Sequence, residues 1–194
     1  VKLRLEGDTY AVAGGLDILS NRLHFQLSND GYPILVKHQK GPLRVVNKNG
    51  QGEISFEKPI HFFRAIGLWL ENVQKRNEFN VTENPQFHMS GVMLDASRNA
   101  VPTVGEIENL LQHMAVMGLD TLMLYTEDTY EVKEYPYFGY MRGRYTFEEL
   151  QACDKYAEKL GIEMIPCIQT LGHLREALKW NYASKIKDTD DILL

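Results

Sequence analysis

The feature that most constrains this chain is a punctuated rhythm that begins after residue 86. Thr103 stands just before an apolar helical pattern, and Glu106 follows three residues on, the reciprocal arrangement that caps a helix start. Ile107, Leu110, Leu111 and Met114 keep the spacing of one helix face, and Gly118 supplies the stop. An apolar run at 121–125 follows. The same order then repeats: Thr146 with Glu149, an inward set of Leu150, Cys153, Ala157 and Leu160, a stop at Gly161, and an apolar run at 162–168. A first such run at 87–94 precedes both units, and 173–180 is expected to begin a third helix. Near-continuous apolar strands alternating with amphipathic helices predict parallel strands with helices over them. A doubly wound sheet and a (β/α)8 barrel both fit. No G-x-G-x-x-G or G-x-x-x-x-G-K-[ST] follows any strand, so the phosphate-cradling versions have no support, and the barrel is favoured. Eight such units occupy about 250 residues. The stretch 87–194 is therefore expected to be the first three βα units of a TIM barrel, truncated relative to something longer.

Residues 1–86 read differently, as a small α+β domain. Leu23, Phe25 and Leu27 alternate, as do Ile54 and Phe56, which predicts half-buried strands. Asn29-Asp30-Gly31 and Asn49-Gly50 are turn signals. Pro59 opens a helix, where its missing N–H costs nothing, and Phe62, Phe63, Ile66, Leu70 and Val73 are expected to face the sheet. The polar stretch 75–86 reads as a linker.

Composition removes several function classes. The 194 residues are 44% hydrophobic and 24% charged, which suits a globular core and argues against disorder. A net charge of −5 argues against nucleic acid as a partner, because phosphate neutralisation needs a basic patch. No apolar run approaches the ~20 residues of a membrane span, and residues 1–6 are not expected to belong to a signal peptide, because no apolar run follows their basic residues. Two cysteines, Cys153 and Cys167, fall on a helix and a strand and read as buried thiols, consistent with a reducing, cytoplasmic location. The six histidines show no H-x-x-x-H spacing and C-x-x-C is absent, so neither a metal nor a cofactor is expected.

In parallel α/β folds, reactive groups collect just past the C-terminal ends of the strands. Here those positions hold Asp95, Ser97 and Arg98 after the first strand, and Thr126, Glu127, Asp128, Thr129, Tyr130 and Glu131 after the second. Gln169, Thr170, Gly172 and His173 follow the third. Adjacent strands would let Asp128 meet His173, a carboxylate–imidazole pair able to tune a proton-transfer group. The plainer reading is that Asp128 caps a loop and His173 caps the next helix, and Glu127 rivals Asp128 as the carboxylate. The long loop 130–145 carries Tyr130, Tyr135, Tyr137, Phe138, Tyr140 and Tyr145 with Arg142 and Arg144. Its rings can stack on sugar faces, or simply pin the loop.

Four segments, in order, carry a family likeness: GVMLDASR at 91–98, GLDTLMLYTED at 118–128, RGRYT at 142–146, and GIEMIP from 161 with LGH at 171–173. Together they resemble glycoside hydrolase family 20, the exo-acting β-N-acetylhexosaminidases, over about residues 87–180. The resemblance implies release of terminal β-linked N-acetylhexosamine with retention, by substrate-assisted catalysis. The sugar's acetamido oxygen attacks the anomeric carbon, while an Asp-Glu pair orients that group and shuttles the proton. By motif position, Arg98 binds the sugar's distal hydroxyls, and Asp128 and His173 form the relay that touches the acid/base Glu. Common members carry His-Trp-His and Pro-Glu-Ile-Asp in the second and third strands. Met-Leu-Tyr at 123–125 and Pro-Cys-Ile-Gln at 166–169 mark a divergent member. The family's Asp-Glu pair follows a fourth strand, and no such pair occurs here, so this piece alone is expected to be inactive. Three barrel units would leave apolar strand faces uncovered, so it is also expected to self-associate. The alternatives are a non-catalytic carbohydrate-binding fragment and another TIM-barrel enzyme acting on sugars.

Overall fold

The structure is a computed structural model. It describes residues 1–98 and 100–193, so Leu194, the last position of the expected second domain, lies outside the described residues. The chain forms two compact units that interleave in sequence. One comprises 1–90, 109–120 and 157–162, the other 91–108, 121–156 and 163–194.

The first unit is built on a six-stranded mixed sheet. Its strands are β1 (Lys2–Gly7), β2 (Gln26–Leu27), β3 (Tyr32–His38), β4 (Leu43–Lys48), β5 (Gln51–Phe56) and β6 (Phe79–Glu83), with helices α1 (Ala13–Arg22) and α2 (Pro59–Val73). The sheet order is β2-β1-β3-β5-β4-β6. β1, β2, β3 and β5 run parallel, while β4 pairs antiparallel with β5 and β6. The Asn49-Gly50 signal is the two-residue hairpin between β4 and β5, with both residues at positive φ, as a twisted hairpin prefers. Pro59 is the first residue of α2, and Phe62, Phe63, Ile66, Trp69 and Leu70 are buried beneath it with Ile34, Val45, Ile54 and Phe56 of the sheet. This is a core of large, interlocking side chains, with Phe56, Phe62 and Phe63 in successive edge-to-face contact.

Two expectations for this region change. Residues 23–27 are a turn out of α1, with His24 at φ +55, and only Gln26 and Leu27 join the sheet. The stretch 75–86 is not open linker, because Phe79–Glu83 is an edge strand registered on β4, with Phe79 buried. The alternation of Phe79 and Val81 was masked by the flanking Asn, Glu and Pro85, which read as linker. Strand β1 and helix α1 carried no strong sequence signal, since Gly14 and Gly15 depress helix propensity at the start of α1.

The second unit holds a three-stranded parallel sheet, in the order β7 (Gly91–Asp95), β8 (Thr121–Tyr125), β9 (Glu163–Cys167). Gly91 pairs with Thr121 and Thr121 with Glu163, so the strand ends at Asp95, Tyr125 and Cys167 lie level. Helices α3 (Val104–Met117) and α4 (Phe147–Lys159) fall between the strands, and a short α5 (Arg175–Leu178) follows β9. Both expected helix starts are present. Glu106 N–H donates to Thr103 Oγ1 at 3.3 Å. Thr146 and Glu149 make the full reciprocal box, at 2.8 and 3.1 Å. Gly118 and Gly161 take positive φ at the helix stops, where an L side chain would be strained. The first strand is shorter than expected, since β7 begins at Gly91 and Phe87 is exposed; the third helix is a single turn. The molecule is thus an α/β protein with one mixed and one parallel sheet.

Candidate functional site

The polar residues of the second unit gather where the parallel strands end. Asp95 is the last residue of β7. Its Oδ1 accepts the Ser97 N–H at 2.9 Å and the Ser97 hydroxyl at 2.6 Å, which turns the chain sharply and brings Arg98 back over the strand end. Arg98 NH1 then reaches Asp95 Oδ2 at 2.6 Å. Partial burial alone would raise the Asp95 carboxyl, but the Ser97 and Arg98 hydrogen bonds outweigh it and bring the pKa down to about 2. The other arm of the Arg98 fork lies 3.0 Å from Glu127 Oε1 and 3.3 Å from the Tyr125 hydroxyl, with the guanidinium carbon 5.0 Å from the Tyr125 ring centre. The hydrogen bonds to Asp95 and then Tyr125 hold Arg98 above its ordinary range. A fixed guanidinium with about half its surface open (49%) can donate to paired hydroxyls.

Glu127 is the carboxylate that faces this arginine. It is nearly buried, accepts from the Tyr125 hydroxyl at 3.3 Å, and sits at φ +47. Such a left-handed backbone costs a non-glycine residue on the order of 1 kcal/mol or more, so a local contact must hold it. Gln169, two residues beyond β9, holds this conformation by accepting the Glu127 N–H at 2.7 Å. Four consecutive polar residues, Thr126 to Thr129, are buried here. The Thr126 hydroxyl is one of two buried side-chain polar atoms without a hydrogen-bond partner among the described residues.

Asp128 points elsewhere. It is essentially inaccessible, and its Oδ1 lies 3.2 Å from Arg142 Nε. Arg142 also donates to the Ser97 carbonyl. The loop 130–145 is closed at its base by the Tyr130–Tyr145 bridge and by the Tyr145 hydroxyl donating to the Pro102 carbonyl at 2.6 Å. Gly139, at φ +66, seats its backbone so close to the Asp128 carbonyl that an added Cβ would collide with it. Of the loop's rings, Tyr145 is buried and Tyr130 packs edge-on to Phe138. Tyr137 and Tyr140 remain about half exposed, in mutual contact with Trp180.

The structure therefore brings Arg98 together with Glu127 and Asp95, and Asp128 together with Arg142. Among the described residues no hydrogen bond joins Asp128 to His173. His173 lies in the bends between β9 and α5, at φ +59 with an exposed side chain. Sequence reasoning left Glu127 and Asp128 unseparated, and the φ of Glu127 is what divides them. It did not single out Tyr125 or Arg142. The i, i+2, i+3 spacing of Asp95, Ser97 and Arg98 was a usable local signal, whereas the contact from Arg142 across 45 residues was not. No three His, Cys, Asp or Glu side chains among the described residues converge as a metal site would require.

In shape, this chain is similar to solved β-N-acetylhexosaminidases. It superposes on the exo β-N-acetylglucosaminidase of Vibrio harveyi, solved with N-acetylglucosamine, with a TM-score of 0.74 at 22% identity, over 92% of this chain and 34% of that one. For the β-N-acetylhexosaminidase of Bacteroides fragilis the TM-score is 0.74 at 18% identity, over 100% and 46%. The family model for the catalytic domain of glycosyl hydrolase family 20 matches residues 87–191. The chain belongs to that family. β-Hexosaminidase 3 of Arabidopsis thaliana is 31% identical over 110 residues, 53% of this chain. The chain spans a fifth of that relative's length, and less than half of either solved structure.

Proposed function

We propose that this chain supplies the sugar-gripping part of an exo-acting β-N-acetylhexosaminidase that uses substrate-assisted, retaining catalysis. Residues 1–86 are its N-terminal α+β domain and 87–194 the opening units of its (β/α)8 barrel. The observation that carries the reading is the Arg98 guanidinium, fixed by Asp95 and Glu127 at the strand ends yet still open on one side. On this reading Arg98 takes the distal hydroxyls of a terminal N-acetylhexosamine, and Tyr125 and Glu127 hold it square to the sugar. Asp128 and His173 are assigned to the relay around the acid/base Glu, which with its Asp partner is contributed by sequence other than these residues. Family membership supports this reading, as do relatives named for β-hexosaminidase activity. The piece alone is expected to be inactive. Two unpaired thiols, Cys153 and Cys167, favour a reducing compartment such as the cytoplasm.

The test is turnover of 4-nitrophenyl N-acetyl-β-D-glucosaminide by the full-length protein that contains this chain. Wild type should turn over, and Arg98→Ala should lose about a hundredfold or more in kcat/KM at a temperature where circular dichroism shows the variant still folded. Undiminished activity in Arg98→Ala would overturn the assignment, as would robust turnover by residues 1–194 for the claim of inactivity.

A further inference from the structure

Arg142 lies on the loop 130–145, yet its side chain is turned inward and is only 20% exposed. Its two neighbours both take the left-handed backbone, Met141 at φ +59 and Gly143 at φ +68. Met141 gains nothing by packing, since its own side chain is 87% exposed. Strain at a residue whose own side chain is almost wholly exposed points to what the next residue achieves. Arg142 Nε lies 3.2 Å from Asp128 Oδ1, and its terminal nitrogen donates to the Ser97 carbonyl. Those two acceptors belong to different strand-end loops, after β8 and after β7. Each is the immediate neighbour of a residue in the sugar-gripping pair: Ser97 precedes Arg98, and Asp128 follows Glu127.

From this geometry we infer that Arg142 is a positioning residue that cross-links the β7 and β8 strand-end loops and thereby sets the Arg98–Glu127 pair. The inference rests on the functional reading above and deepens it. Arg142 touches no sugar. It ties the carbonyl next to Arg98 to the carboxylate next to Glu127, so that the fork and its carboxylate partner keep one spacing. A planar guanidinium with donors on separate nitrogens can hold both acceptors at once, whereas an ammonium acts as a single point.

Two arms test this in the full-length protein. Hydrogen exchange reads the positioning directly. In Arg142→Ala the Ser97 and Glu127 amides, bonded to Asp95 and Gln169, should exchange at least tenfold faster. Unchanged protection at both would overturn the inference. Kinetics on 4-nitrophenyl N-acetyl-β-D-glucosaminide reads the consequence. Arg142→Ala should lower kcat/KM at least tenfold, Arg142→Lys should recover only part of it, and added guanidinium should restore activity to the alanine variant. In an Arg98→Ala background the Arg142→Ala change should add less than twofold. A full, additive loss there would show that Arg142 acts elsewhere and would overturn the inference. An inactive wild type would sink the functional reading, and the exchange arm would still decide the positioning role.

Discussion

The two sheets of this molecule place their polar groups in opposite ways. In the six-stranded sheet the strand interiors are apolar and the buried polar residues are few and separate, as with Asn47, whose side chain is satisfied by Tyr32 and Asn77. In the three-stranded sheet, burial of polar groups is concentrated at one end, where Ser97 and Thr126 to Thr129 sit together. One of these residues keeps a left-handed backbone and another an unpaired hydroxyl. The first region has departures of the same kind, but they are scattered: the buried Trp69 indole N–H lacks a partner, and His24 sits at positive φ in a turn. In the second they fall within a few residues of one arginine, and it is this clustering that supports the proposed site.

The comparison yields a graded set of expectations. The largest effect is in the first sheet. Phe62→Ala removes a wholly buried ring between Phe56 and Phe63 and should cost about 3–5 kcal/mol, read as a fall in the urea midpoint. Asp128→Ala should come next, at about 3 kcal/mol, because it leaves the mostly buried Arg142 without its carboxylate. A loss near zero would mean that Arg142 finds water instead. Thr146→Ala strips the reciprocal cap of α4 and should cost about 1 kcal/mol by the same assay. Thr126→Val should run the other way, stabilising by up to about 1 kcal/mol, since it replaces an unpaired buried hydroxyl with a methyl.

The smallest effect concerns pH. The Asp95 carboxyl titrates near 2 when folded, below its ordinary 3.8. Its contribution to stability is therefore complete above about pH 4 and lost as pH falls through 2. The group is 41% exposed, so solvent screening limits the contribution to well under 1 kcal/mol. Asp95→Asn should accordingly narrow the stability difference between pH 6 and pH 2. An unchanged difference would show that the Ser97 and Arg98 contacts to this carboxyl do not hold in solution.

Local chemistry was legible in the sequence and distant chemistry was not. The two Thr–Glu helix starts, the helix faces around Ile107, Leu111 and Cys153, and β8 all rest on residues within a few positions of one another. The structure places each as expected, except that only Thr146 and Glu149 close the reciprocal box. Strand β6 escaped because its alternating Phe79 and Val81 lie in a stretch whose Asn, Glu and Pro85 read as linker, and α1 because it opens on glycines. At the site, Asp95, Ser97 and Arg98 were legible as polar residues past the first strand, and the role of Arg98 came from the family likeness alone. Glu127 could not be separated from Asp128, because what divides them is a backbone angle held by Gln169, a partner 42 residues away. Arg142 was visible as a charge in a long aromatic loop and as the first residue of a family-like segment, with no role attached to it.

The most direct test of the central claim is a comparison of two substrates on the full-length protein. If the sugar's own acetamido oxygen is the nucleophile, kcat/KM for 4-nitrophenyl N-acetyl-β-D-glucosaminide should exceed that for 4-nitrophenyl β-D-glucoside by roughly three orders of magnitude or more. Comparable turnover of the two would contradict the account.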